Sequence, residues 1–120
     1  MSTAASTGRA IVHPPREAIR LEAVLRALSD LHRLAVVRAL AVDDGERACT
    51  DFDLPVSKST LTHHFRVLRE AGLIHQTYRG SARLNRLRTD DLSLLFPGLI
   101  PQILRAADRH HLPGADPVTP

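Results

Sequence analysis

Residues 57–74, SKSTLTHHFRVLREAGLI, place hydroxyls, two adjacent imidazoles and two guanidinium groups on what the apolar spacing makes a single helix. Leu61, Phe65 and Leu68 recur at intervals of four and three residues and mark the side that faces a core. At about 100° per residue, Ser59, Thr62, His63 and Arg66 project from the opposite side, with His64 at the flank. Ser57 is placed to cap the helix and Gly72 to end it in a left-handed conformation. A face of this kind offers hydrogen-bond donors and acceptors over an extended surface. Lys58 and Arg66 suit phosphate or guanine, and the hydroxyls of Ser59, Thr60 and Thr62 suit phosphate anchoring or permissive base contacts. His63 belongs to the same half of the helix. Because His63 and His64 are adjacent, their side chains diverge and do not form the i, i+4 pair that holds a metal on a helix.

The residues that follow add charge. LIHQTYRGSARLNRLR, 73–88, reads as two short extended segments around Arg79-Gly80-Ser81, with Gly80 supplying the turn and Ile74, Tyr78, Leu84 and Leu87 available to pack. Arg79, Arg83 and Arg86 fall at or near the tip of that hairpin. Between residues 57 and 88 seven lysines and arginines face Glu70 alone, a net of +6 in a chain whose total is +3, so the remainder carries −3. A basic half joined to a mildly acidic half is the electrostatic footprint of a protein that meets a polyanion, most simply nucleic acid.

The elements that must hold these residues can be read on either side. Residues 1–15 are small and polar and end in two prolines, which predicts a flexible N-terminal tail. From Arg16 to Leu28 a helix carries Ala18, Leu21, Val24, Leu25 and Leu28 along one stripe, and Ile19 and Ala23 widen it beyond a single buried contact, as expected of a helix that also meets a second subunit. Ser29 or Asp30 caps a second helix whose buried face is Leu31, Leu34, Val37, Leu40 and Ala41, and DDG at 43–45 ends it. ERACTDFDLPV, 46–56, leaves room for only a short helical turn before Pro55. After the hairpin Thr89 and DDL start a further helix, FPG at 96–98 interrupts it, and Leu99, Ile100, Ile103 and Leu104 resume an apolar face. Residues 16–111 therefore form one domain, with 112–120 as a C-terminal tail.

That order predicts a mainly α fold with a small β-hairpin wing, a winged helix-turn-helix. An α-helix fits the major groove of B-DNA, where side chains reach base edges, and a basic wing lies along the adjoining backbone or minor groove. The expected partner is double-stranded DNA, read in a sequence-specific way. The expected contacts are Lys58, Ser59, Thr60, Thr62, His63 and Arg66 from the helix and Arg79 and Arg83 from the wing.

Three segments, ALSDLHRLAVVRAL, VSKSTLTHHFRVLREAGLI and the hairpin around YRGSA, together resemble the ArsR/SmtB family of bacterial winged-helix repressors over about residues 18–107. The resemblance implies a homodimeric transcriptional regulator, a repressor at a roughly palindromic operator. Pairing would run through the first and last helices, 16–28 and about 90–108 here. It also implies release from DNA by an inducer, commonly a metal ion. The chain departs from the family pattern in two places. Leu31 stands where a proline usually follows the aspartate that opens the second helix, and CTDFDLPVSK is about two residues short, leaving the first helix of the motif as little more than a turn.

Metal sensing is not expected. The thiophilic sensors of the family carry a Cys-x-Cys pair, and here Cys49 falls between the two corresponding positions, Ala48 and Thr50. The late histidines His110 and His111 with Asp108 do not reproduce the family's other ligand spacing. No cofactor is implied, and the inducer stays open. Catalysis is not expected either, since there is no phosphate-cradling glycine loop, no HExxH and no Ser, His and Asp grouping. No apolar run approaches the ~18 residues of a membrane span and the N-terminus lacks a signal-peptide core, which predicts a cytoplasmic protein. The alternatives are a winged-helix regulator that senses redox state or a small molecule, and a winged-helix module for protein or RNA.

Overall fold

The computed structural model describes residues 10–109 apart from 44. Its first helical segment is broken where the sequence predicts a continuous helix. Arg16–Ala18 form one 3-10 turn, the chain extends through Ile19 and Arg20, and α1 spans only Leu21–Ala27. The break lets Ile19 leave the helical path and bury itself beside Gly72. In α2, Leu31–Asp43, the capping residue is Asp30, whose Oδ1 accepts from the amides of His32 at 2.8 Å and Arg33 at 3.1 Å. Val36, Val37 and Leu40 form its buried face, while Leu31, expected in the core, is 58% exposed. Steps of three residues lag the helical period by about 60° each, so Leu31 lies about 180° from Leu40.

The short segment before Pro55 does more than turn. Arg47–Ala48 form β1, followed by a 3-10 turn at Cys49–Asp51 that takes the place of a full first helix in the motif. α3 then runs Lys58–Glu70 from a Ser57 cap, whose side chain accepts from the Thr60 amide at 3.2 Å. Its end is a Schellman turn: the Leu73 amide donates to the Leu68 carbonyl and the Gly72 amide to that of Arg69, both at 3.0 Å, with Gly72 at φ +88°. The chain reverses into β2, Ile74–Arg79, and returns as β3, Ala82–Leu87, across a two-residue turn in which Gly80 has φ +61°. β1 pairs with β3, so the wing is a three-stranded antiparallel sheet in the order β1-β3-β2, one strand more than the sequence predicts. Arg86 pairs across from His75 near the base of the hairpin, away from the tip that the sequence predicts for it.

α4, Thr89–Leu95, and α5, Leu99–Ala107, follow, separated at Phe96–Gly98 as the sequence predicts. The core lies between the helices and one sheet face and contains Val24, Val36, Val37, Leu40, Phe65, Leu68, Leu73, Ile74, Leu92 and Ile100. Among the described residues no helix is long and apolar enough to cross a membrane.

Residues 10–15 are not a loose tail. His13 stacks on His75 with ring centroids 4.1 Å apart and accepts the Gln76 amide through Nε2 at 2.9 Å, and Arg88 donates to the Pro14 carbonyl at 2.8 Å. Burial, then the neighbouring His75, Arg69 and Arg88, push the His13 pKa down to about 4, which keeps its ring neutral and able to accept. This segment covers part of the otherwise open edge of β2. Residues 1–9 and the C-terminal stretch 110–120, including His110 and His111, lie outside the described residues.

A β-carbon at position 72 would stand 2.5 Å from Ile19 Cγ1 and 2.7 Å from its Cδ1, on a backbone that L-residues avoid. Gly72→Ala should therefore destabilise the fold by about 2–4 kcal/mol in urea denaturation, from left-handed strain plus overpacking. Gly80→Ala, which meets nothing within 4 Å, should cost only about 1 kcal/mol.

Candidate nucleic-acid interface

Docking Leu61, Phe65 and Leu68 on the core leaves the opposite face of α3 in solvent. Lys58, Ser59, Thr60, Thr62, His63 and Arg66 are all exposed there. They differ in what they have left to offer. Thr60 shares the cap, its hydroxyl 2.9 Å from Ser57 Oγ, and Ser59 Oγ lies 3.2 Å from the same atom. Thr62 donates to the Lys58 carbonyl at 3.0 Å, which leaves its lone pairs free to accept. Arg66 reaches back to His63 Nδ1 at 3.2 Å. With that nitrogen accepting, the ring proton sits on Nε2, so His63 presents an outward donor of the kind that matches guanine N7 or O6.

A groove of about 510 Å³ separates α3 from the wing, lined by Thr50, Lys58, Thr62, Ser81 and Arg83, with Cys49 and Phe65 among its other walls. The fold thus brings Lys58, Thr62 and Arg83 together from among the residues that the sequence selects. Arg83 does not extend freely from the tip. It lies over the Tyr78 ring, 5.0 Å from the centroid, and hydrogen-bonds to the Tyr78 hydroxyl. Arg79 is 77% exposed and stands 3.5 Å from Glu46, a carboxylate that sequence spacing does not pair with it. Thr50 and Ser81 are additional hydroxyls at the groove. Nothing in sequence spacing marks them, because a 3-10 turn and a hairpin tip set their directions.

Behind the exposed face, α3 is tied to both preceding helices. His64, placed at the flank by spacing, is buried, with Nδ1 3.1 Å from the Arg33 guanidinium and Nε2 3.9 Å from Asp30. Arg33 also donates to the Ala27 carbonyl at 2.7 Å, so one side chain joins α1, α2 and α3. Burial lowers the His64 pKa against the opposing pull of Asp30. Burial alone would raise the Asp30 carboxyl, but the Arg33 and His32 amides outweigh it and the net shift is downward.

The family model described as a helix-turn-helix domain matches residues 28–77. An uncharacterized HTH-type transcriptional regulator, YceK, of Bacillus subtilis strain 168 is 34% identical over 79 residues, 64% of this chain and 79% of the relative. Among solved structures, an ArsR-like transcriptional regulator from Rhodococcus sp. RHA1 aligns with a TM-score of 0.55 at 25% identity, over 74% of this chain and 83% of its own. A possible transcriptional regulator for arsenical resistance aligns with a TM-score of 0.53 at 26% identity, over 77% and 99%.

The described residues do not fit a thiophilic ion. Cys49 Sγ accepts from Asn85 Nδ2 at 3.2 Å, and burial pushes its thiol pKa up, so the ligating thiolate is disfavoured. Ala48 and Thr50 flank it, and among the described residues no group of three or more His, Cys, Asp or Glu side chains is placed to hold a metal. Asp108 is engaged with Arg38 at 2.6 Å. Stoichiometric cadmium or arsenite should leave duplex affinity within about two-fold of its metal-free value. Calorimetry that finds sub-micromolar binding coupled to loss of DNA would overturn this.

Proposed function

This chain belongs to the ArsR family of winged helix-turn-helix transcriptional regulators, and from that premise we propose that it is a dimeric repressor of a roughly palindromic operator. The observation that carries the reading is that the exposed polar row of α3 and the wing share one groove. The exposed row of α3 runs through Lys58 and Thr62 into the groove shared with Ser81 and Arg83 of the wing. With α3 in a major groove, Thr62 and His63 meet base edges, and Lys58 and Arg66 meet phosphate or guanine. Ser59 and Thr60, partly held by the cap, contribute phosphate contacts. One backbone strand then passes along the groove, and Arg79 and Arg83 meet the next phosphates or the minor groove. Arg79 exchanges Glu46 for phosphate on docking.

Apolar surface supports pairing of two copies. Leu21 and Leu25, one turn apart on α1, are 44% and 45% exposed. Ile103 and Leu104 of α5 are only partly buried, and a cavity of about 270 Å³ opens between Ala41, Leu87, Leu92, Phe96, Ile100 and Leu104. A two-fold dimer presents two α3 helices to successive major grooves, which is why the operator is expected to be palindromic.

His63→Ala or Thr62→Ala should weaken operator binding more than binding to random duplex, by about 1–3 kcal/mol per base contact. Arg79→Ala and Arg83→Ala should weaken all duplexes and flatten the dependence on salt by about one unit per phosphate lost. If helix and wing substitutions leave duplex binding untouched in a folded protein, the assignment falls. For the dimer, sedimentation without DNA should show a two-fold mass at micromolar protein and a monomer for Leu21→Glu/Leu25→Glu. A monomeric wild type would refute the pairing.

A further inference from the structure

The wing buries two amides. Gln76 and Asn85 are 1% and 0% exposed, and they are direct cross-strand partners in β2 and β3. Arg69, in the last turn of α3, donates through Nη1 to Gln76 Oε1 at 2.8 Å. Gln76 Nε2 donates to Asn85 Oδ1 at 2.7 Å, and Asn85 Nδ2 donates to the Arg47 carbonyl at 3.1 Å and to Cys49 Sγ at 3.2 Å. One hydrogen-bonded row thus runs from the end of α3 across β2 and β3 to β1. The Gln76 backbone is held as well, by His13.

Such a row contributes little net stability over an apolar set of the same shape, because each of its hydrogen bonds replaces one to water. Its value lies in what a misalignment costs. Three pairs share the inward face of the hairpin: Ile74 with Leu87 at the base, Gln76 with Asn85 in the middle and Tyr78 with Arg83 near the tip. Only the first is wholly apolar, so hydrophobic patterning alone specifies the register weakly. A slip of two residues keeps every side chain on its face but sets Gln76 against Leu87 or Arg83. Gln76 Nε2 and Asn85 Oδ1 would then lose each other inside the protein, which is strongly disfavoured. Since Arg69 belongs to α3 itself, the row sets the register of the wing directly against that helix.

We infer that Gln76 and Asn85 are positioning residues for duplex binding: through Arg69 they fix the reach of Arg79 and Arg83 from Lys58 and Thr62, so that helix and wing engage one duplex together. This rests on the proposed DNA contacts of α3 and the wing. It assigns no contact with DNA to either amide.

The test replaces the whole row with apolar side chains, Arg69→Met/Gln76→Leu/Asn85→Leu, and uses two readouts. In the free protein, nuclear Overhauser contacts between Thr77 and Leu84, direct partners in the native register, should give way to a mixture of registers while circular dichroism stays native. In DNA binding, Arg83→Ala should lower affinity about ten-fold in the wild-type background and less than two-fold in the triple variant, whereas His63→Ala should cost the same factor in both. A single native register in the folded triple variant, or an undiminished Arg83→Ala effect there, overturns the inference. If Arg83→Ala and His63→Ala are both silent in the wild-type background, the DNA reading fails first and the register readout still reports separately on the row. Should the triple variant not fold, Gln76→Met alone removes both central hydrogen bonds, and the same two readouts decide.

Discussion

The left-handed turn at Gly72, closed against Ile19, is the contact on which the arrangement of this molecule depends. It stops α3 after Glu70 and satisfies the last carbonyls of the helix through the amides of Gly72 and Leu73. It also aims the chain into β2. Ile19 can fill the space over Gly72 only because the chain leaves the helical path between Ala18 and Leu21. The Leu73 carbonyl then accepts the Arg88 amide where β3 ends. Helix end, wing base and the segment before α1 thus meet at one place, and the direction in which the wing leaves α3 is set there.

Rigidity behind the interface comes from polar contacts as much as from the core. His64 occupies a helical position next to His63, yet the two have opposite surroundings. His63 is exposed and shares a hydrogen bond with Arg66, while His64 is buried between Arg33 and Asp30. A neutral His64 suits that site, since burial disfavours the charged ring by more than Asp30 at 3.9 Å restores, and Arg33 adds to the effect. Rigid elements hold the geometry of any site built on them, and α3 is braced against α1, α2 and the sheet at once.

Charge on the wing is moderated by its neighbours. The +6 of residues 57–88 suggests a uniformly cationic hairpin, but Arg79 faces Glu46, Arg83 lies on Tyr78, and Arg88 is tied to Asp91 at 2.9 Å. Arg88 secures the start of α4 and the 10–15 segment, a structural task, so long-range attraction to a polyanion rests on the remaining cations.

The sequence by itself determined the features that depend on neighbours within a turn or two of the chain: the Ser57 cap, the Gly72 stop, the Leu61, Phe65 and Leu68 seam, the hairpin around Gly80 and the break before α5. Local hydrogen bonds and helical periodicity govern those, and residue types display both. What tertiary structure decided involves partners far apart in sequence. β1 joined β3 because Arg47 and Ala48 found its free edge; two residues carry too little pattern to announce a strand. Leu31 turned outward because its angular position is fixed by where Val36, Val37 and Leu40 meet the core. His13 became an acceptor for Gln76 across 63 residues, Arg79 acquired Glu46, and Arg69, Gln76, Asn85 and Cys49 became one row. Polar side chains look alike in a sequence whether solvated or paired, and only the folded chain, by removing water from some of them, decides which partners they must have.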